Sequence, residues 1–77
     1  MKLLVIEDDT SLSEIMCRAL RGEGYVVETA TNCREAEDKI AGYNYDCIML
    51  DIMLPDGNGL HLLKHLRELG KSDRVII

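Results

Sequence analysis

Apolar residues along the chain follow two alternating patterns, one typical of buried strands and the other of amphipathic helices. Residues 2–6 and 46–50 each have one charged residue followed by a continuous apolar run, which predicts strands that are covered on both faces of a sheet. Residues 25–29 are rich in β-branched side chains but partly polar, which predicts a strand at the sheet edge. The apolar run at residues 75–77 predicts the beginning of a fourth strand.

Three helices are predicted between these strands. Ser11 and Glu14 form a capping-box pattern at the start of the first helix, and Asn32 with Glu35 repeats it at the second. The three apolar stripes, in chain order, are Leu12, Ile15, Met16, Ala19 and Leu20; then Cys33, Ala36 and Ile40; then Leu60, Leu63 and Leu66 with Leu62 and Leu69 alongside. Strands alternating with helices over short loops predict a doubly wound α/β fold, with a parallel sheet between helices.

Composition limits the possible functions of this one small domain. Its net charge of -5 opposes binding to nucleic acid, because phosphate contacts need clustered Lys and Arg. Its three cysteines, Cys17, Cys33 and Cys47, contain no C-x-x-C pair and favour neither a disulfide framework nor a zinc site. No apolar run approaches the roughly 18 residues of a membrane span. We therefore expect a soluble cytoplasmic protein that does not contact a membrane.

Acidic residues follow two of the predicted strands. Glu7, Asp8 and Asp9 come after the first strand, and Asp51 comes after the third. Ligands in doubly wound sheets bind outside the carboxyl ends of the strands. Carboxylates that converge there repel one another unless they are protonated, hydrated or share a cation. Oxygen ligands suit Mg²⁺, which also binds phosphate oxygens, so the pattern predicts a site where Asp51 attacks phosphorus.

Three segments of the sequence together resemble a known family. They are Leu-Leu-Val-Ile-Glu-Asp-Asp at 3–9, Asp-Cys-Ile-Met-Leu-Asp at 46–51, and Met-Leu-Pro-Asp-Gly-Asn-Gly-Leu at 53–60. In this combination and spacing they are similar to the receiver domain of two-component response regulators. The resemblance covers all 77 residues and implies a flavodoxin-like doubly wound parallel sheet. The opening acids and the 53–60 loop look most like regulators with a C-terminal winged-helix DNA-binding domain.

The resemblance assigns roles to four residues. It implies that Asp51 accepts a phosphoryl group from a histidine kinase, giving an aspartyl phosphate. It implies that Glu7 and Asp8 bind Mg²⁺, with Asp8 the more direct ligand. The backbone carbonyl of Met53 would complete the protein's ligands. Asp56 is expected to shape the loop through turn chemistry and Asp9 to be peripheral.

Parts of the family pattern are absent from these 77 residues. A Ser or Thr follows the fourth strand in the family and a Lys follows the fifth, and neither is present. We therefore expect residues 1–77 to be a partial receiver domain, truncated after the start of the fourth strand. DNA binding would belong to a C-terminal domain outside this sequence. An uncovered strand edge at 75–77 and a bare face of the first helix would favour a homodimer.

Other interpretations remain open at the level of sequence. Asp51 could be a turn or capping carboxylate, and Glu7 with Asp8 could be a solvated rim. An enzyme of the haloacid-dehalogenase type also forms an aspartyl phosphate, but its second Asp would stand where this chain has Met53. A flavodoxin-like nucleotide binder would need phosphate-binding amides after the first strand, where acids stand here. A truncated chain could also be an interaction fragment that dimerises without switching. His61 and His65 are best explained as a solvated helix face.

Overall fold

The elements of the computed structural model alternate as the sequence predicts. The model describes residues 1–71 and 74–77. In chain order the elements are β1 (Lys2–Ile6), α1 (Thr10–Gly22), β2 (Val26–Ala30), α2 (Cys33–Gly42), β3 (Cys47–Leu50), β4 (Met53–Leu54), β5 (Gly57–Asn58), α3 (Gly59–Glu68) and β6 (Val75–Ile76). Among the described helices, none is long and apolar enough to cross a membrane.

Four parallel strands form one sheet in the order β2-β1-β3-β6. The central strand β1 aligns Lys2 with Val26 on one side and Leu3 with Cys47 on the other. Strand β2 lies at the edge, as its partly polar sequence predicts. The observed order and crossovers confirm the doubly wound α/β fold.

Helices cover both faces of the sheet, because side chains of successive strand residues point to opposite faces. Leu4 and Ile6 of β1 pack with α2 and α3, whereas Leu3 and Val5 pack with α1. The α2–α3 side contains the larger core, which is Leu4, Ile6, Ala30, Ala36, Ile40, Tyr45, Ile48, Leu50, Leu54, Leu62 and Leu66. The prediction of a sheet with two covered faces is therefore confirmed.

The start of α1 differs from the capping-box prediction. Asp9, rather than Ser11, is the N-cap, and its carboxylate accepts the amide of Leu12 at 3.1 Å. An Asp side chain caps as well as Ser does, so Asp9, two residues before Ser11, can take the cap position. For α2 the predicted N-cap is confirmed, because Asn32 accepts the amide of Glu35 at 2.8 Å, while the carboxylate of Glu35 accepts the hydroxyl of Thr31 at 3.2 Å.

The predicted apolar stripes of α1 and α3 were partly wrong. Helix α1 buries Ser13 and Cys17, while Leu12 and Ile15 are 44% and 62% exposed. Helix α3 buries Leu62 and Leu66 and leaves Leu60 exposed. Apolar residues occupy more of each helix circumference than the sheet covers, and their spacing alone does not say which side faces the sheet. One consequence is an exposed apolar face on α1.

Candidate functional site

The carboxyl ends of β1 and β3 bring three acidic side chains together. Ile6 and Leu50 are partners in the parallel register, so the residues that follow them are neighbours. The pairing continues one step further, since the amide of Asp51 donates to the carbonyl of Ile6 at 3.0 Å. Carboxylate oxygens of Glu7, Asp8 and Asp51 lie within 4.8 Å of one another. The structure thus brings together the three side chains predicted from sequence.

Charge repulsion is evident within this cluster. The pKa of Glu7 is raised, first by burial of its carboxyl and then by the negative charges of Asp51 and Asp8. Glu7 and Asp51 are half-buried and Asp8 is exposed, so the cluster opens to solvent on the side of Asp8. An opening of this kind, lined by oxygen donors only, fits a hard divalent cation such as Mg²⁺ that keeps several waters.

Asp9 does not join the cluster through its side chain. Its carboxylate caps α1, and its amide donates to Oε1 of Glu7 at 3.2 Å. The expectation that Asp9 is peripheral and near the helix start is confirmed. Its backbone nevertheless orients Glu7, which the sequence pattern did not indicate.

The segment after Asp51, which the sequence predicted only as a loop, is a short antiparallel hairpin. Strands β4 and β5 pair Met53 with Asn58 and Leu54 with Gly57. The amide of Met53 donates to Oδ1 of Asp51 at 3.0 Å. The side chain of Met53 is 79% exposed, so this residue meets the site through its backbone. Its carbonyl as a metal ligand stays a prediction.

Gly59 closes the base of this hairpin. Its amide donates to the carbonyl of Ile52 at 2.7 Å, at the point where α3 begins. A Cβ built on Gly59 would lie only 2.6 Å from the Cα of Ile52. Glycine is therefore required by space, and the turn after Asp51 depends on it.

The sequence interpretation missed the contact made by Asp56. Its carboxylate accepts the amide of Cys33 at 2.7 Å and that of Arg34 at 3.1 Å, at the start of α2. These contacts, with the Cys33 amide foremost, lower the pKa of Asp56. Free amides at a helix start favour a carboxylate, but a separation of 22 or 23 residues along the chain leaves no local sequence signal.

A groove of about 570 Å³ adjoins the acidic cluster. Glu7 and Asp51 lie along it, and apolar side chains of α1 and of residues 76–77 form much of its wall. These apolar side chains are Leu12, Met16, Ile76 and Ile77. The site is thus bordered by an uncovered apolar surface.

Comparison with known proteins identifies the class to which this fold and this acidic cluster belong. The family model of the response regulator receiver domain matches residues 3–77, and the chain belongs to that family. This assignment confirms the family and the fold that the three sequence segments indicated. Receiver domains are signalling modules.

Among individual proteins, the chain is similar to two transcriptional regulatory proteins, BasR of Escherichia coli K12 and PmrA of Pectobacterium parmentieri. It is 40% identical to each over all 77 residues. The chain spans 35% of the length of these relatives.

Solved receiver structures superpose closely on the chain. The receiver domain of Francisella response regulator 1452 has a TM-score of 0.92 at 34% identity, covering 99% of this chain and 63% of that one. TrrA from Thermotoga maritima, solved with Mg²⁺ and BeF, has a TM-score of 0.85 at 36% identity, covering 91% and 61%. A complex of the histidine kinase ThkA with TrrA matches with a TM-score of 0.87 at 34% identity, covering 96% and 64%.

Proposed function

We propose that this chain is the phosphoacceptor part of a two-component response regulator and that Asp51 receives the phosphoryl group from a histidine kinase. The observation that carries the proposal is the position of Asp51 at the end of β3, with carboxylate oxygens of Glu7 and Asp8 within 4.8 Å. Family membership supports it, as does the complex of the similar regulator TrrA with a histidine kinase.

The chemistry begins with a carboxylate oxygen of Asp51. This oxygen forms a bond to phosphorus while the bond from phosphorus to the kinase histidine breaks. The electron pair of the broken bond stays on the imidazole nitrogen, which takes up a proton. The amide of Met53 donates to Oδ1 of Asp51 and so orients the carboxylate for this reaction.

The acceptor site needs a counterion, since the phosphoryl group adds negative charge beside Glu7 and Asp8. We propose that Glu7, Asp8, Asp51 and the backbone carbonyl of Met53 hold Mg²⁺. Bound Mg²⁺ supplies positive charge that offsets repulsion between the carboxylates and the phosphoryl oxygens. The mutual closeness of the three carboxylates, whose charges repel one another without a cation, supports this assignment.

Incubation with acetyl phosphate and Mg²⁺, followed by intact mass spectrometry, tests the proposal. We expect the mass of one phosphoryl group to be added to the parent chain, through a bond that hydroxylamine cleaves. Asp51→Asn should remove the adduct, whereas Asp38→Asn, a matched change on the exposed surface of α2, should keep it. An adduct that persists in Asp51→Asn, or a parent chain that never acquires one, would refute the proposal.

We also propose that two copies of this chain associate. Ile76 of β6 and the following Ile77 are 56% and 68% exposed, and α1 exposes Leu12 and Ile15. Leu12, Ile76 and Ile77 line the same groove, and a second copy seated beside it would cover apolar side chains that are otherwise exposed. Either the β6 edge or the exposed face of α1 would supply the contact.

The opposite edge of the sheet is less available for pairing. The guanidinium of Arg21 donates to the carbonyl of Val27 at 2.9 Å, and the ammonium of Lys39 donates to the carbonyl of Thr29. Both carbonyls belong to the edge strand β2, so basic side chains occupy acceptors that another strand would need. This asymmetry favours β6 for strand pairing between copies.

For the whole protein we propose a cytoplasmic transcription regulator whose DNA-binding part is a separate C-terminal domain. The names of BasR and PmrA support a role in transcription. The net charge of -5 makes this segment itself a poor ligand for DNA. Three free cysteines among the described residues fit a reducing compartment.

A further inference from the structure

The hairpin that carries Met53 is anchored at its tip as well as at its base. At the base, Gly59 donates to the carbonyl of Ile52. At the tip, each oxygen of the Asp56 carboxylate accepts one amide from the start of α2. The tip is therefore tied to a helix that is remote in sequence and packs on the same sheet face.

The geometry at α2 shows why this anchor is specific. The first amides of a helix have no partner within the helix. Asn32 accepts the amide of Glu35, which leaves the amides of Cys33 and Arg34 for Asp56. An ionised acceptor that receives two amides holds its partner in one orientation. A Cβ on Gly57 would approach Sγ of Cys33 to 3.3 Å, so the hairpin tip lies directly against α2.

Apart from this anchor, the hairpin is held by the Gly59 bond at its base and by the buried side chain of Leu54. Strands β4 and β5 pair only two residues each, and an isolated two-stranded hairpin is marginal in water. A loosened hairpin would place Met53 beside Asp51 for only a fraction of the time. Affinity for a ligand that needs this arrangement falls in proportion to that fraction.

We propose that Asp56 is a positioning residue of the acceptor site. By tying the hairpin tip to α2, Asp56 keeps the backbone of Met53 beside Asp51 and so prepares the site for Mg²⁺. The inference rests on the proposed function, since it concerns the same metal site. Asp56 itself does not contact the reacting groups.

Titration of the amide NMR spectrum with MgCl₂ tests this role in four chains: the parent, Asp56→Ala, Asp56→Asn and Asn32→Ala. Asp56→Ala should weaken Mg²⁺ binding roughly tenfold, as the loss of a supporting contact typically does. Asp56→Asn keeps one carbonyl oxygen and should be intermediate. Asn32→Ala is the matched control, because it loosens the same helix end without touching the hairpin tip, and it should bind like the parent.

Amide hydrogen exchange gives a second readout that needs no metal. Asp56→Ala should lose protection at the amides of Cys33, Arg34 and Met53, whereas Asn32→Ala should lose it at Glu35 and keep it at Met53. Equal Mg²⁺ affinities of Asp56→Ala and the parent would overturn this inference alone. Equal weakening by Asn32→Ala and Asp56→Ala would also overturn it, because α2 stability would then be the cause. A parent chain without any Mg²⁺ response would overturn the proposed metal site and this inference with it.

Discussion

A Cβ atom on Gly59 would lie 2.8 Å from the carbonyl oxygen of Asp51, closer than real side chains approach. Gly59→Ala must therefore displace the backbone at the acceptor residue. We expect the free energy of unfolding to fall by about 1–3 kcal/mol, the usual cost of forcing an extra methyl group into a packed position. Urea denaturation followed by circular dichroism measures this loss.

Gly42→Ala is the matched control for that experiment. Gly42 ends α2, and a Cβ there meets nothing within 4 Å. Replacing it should leave stability unchanged or raise it by up to about 1 kcal/mol through the unfolded chain. If Gly59→Ala and Gly42→Ala change the free energy of unfolding equally, the backbone near Asp51 can move away from the added methyl group at no cost. The space requirement at Gly59 would then be refuted.

Removing one carboxylate should separate the stability of the metal-free chain from its response to Mg²⁺. Without divalent metal, Asp8→Asn should be as stable as the parent or more so, because repulsion with Glu7 and Asp51 is relieved. With Mg²⁺ at about 100 times its dissociation constant, the parent should gain roughly 2.7 kcal/mol and Asp8→Asn much less. Thermal denaturation with MgCl₂, and with NaCl of equal ionic strength, measures both effects.

Asp9→Asn provides the control for charge alone. It removes the same charge one residue away, and Asn caps a helix as well as Asp does. Its response to Mg²⁺ should match that of the parent. If Asp8→Asn and Asp9→Asn lose the stabilisation by Mg²⁺ equally, the cation is attracted by the overall negative charge of the region. The cluster of Glu7, Asp8 and Asp51 would then not be a specific metal site.

Two single substitutions should identify the surface that joins two copies. Ile76→Lys places a charge on the β6 edge and Ile15→Lys places one on the exposed face of α1. Since the β2 edge is blocked by Arg21 and Lys39, we expect Ile76→Lys to weaken association more strongly. Sedimentation velocity over a concentration series measures it, with Val26→Lys on the blocked edge as the control. A parent mass that stays monomeric at every concentration would contradict the dimer.

Acid should weaken the contact between Lys2 and Glu28. Their side chains form an ion pair at 2.9 Å, and the hydroxyl of Tyr45 donates to Glu28 at 3.0 Å. The contact with Lys2, followed by that with Tyr45, lowers the pKa of Glu28 below 4.5. A lowered carboxyl pKa contributes stability above the unfolded value, and this contribution is lost as the pH falls through the folded value.

Glu28→Gln should therefore lower the stability at neutral pH by about 0.2–1 kcal/mol, the range for a solvent-accessible ion pair. Below pH 4.5 the difference from the parent should shrink. Urea denaturation at neutral pH and below pH 4.5 measures the free energy of unfolding of both chains. Glu37→Gln on the exposed face of α2 is the control and should change this free energy little at either pH. A difference that is constant with pH would mean that packing, not charge, explains the role of Glu28.

Local patterns were sufficient to predict most of the fold and the acidic cluster. Continuous apolar runs identified β1 and β3, and parallel pairing of adjacent strands then required Glu7, Asp8 and Asp51 to meet. Such inferences need only the period of a strand and the rule that parallel strands end at the same edge.

Features that depend on tertiary contacts were not predictable in this way. The anchoring of Asp56 to α2 joins segments that are 22 or 23 residues apart. The buried side of α1 was misjudged because Leu12 and Ile15 are apolar yet lie outside the face that meets the sheet. In both examples the outcome is decided by which surfaces are adjacent in space, and side-chain type carries no information about that.

The central position of β1 has a consequence for the order in which the chain acquires its structure. Strand β1 pairs on both sides with strands that come later in the chain, since Lys2 aligns with Val26 and Leu3 with Cys47. Neither pairing forms without closing a long loop, which makes non-local folding slow. Leu3, Leu4, Val5 and Ile6, all buried in the native sheet, must therefore stay exposed until β2 and β3 arrive. During that interval the apolar side chains of β1 are open surface on which aggregation can begin.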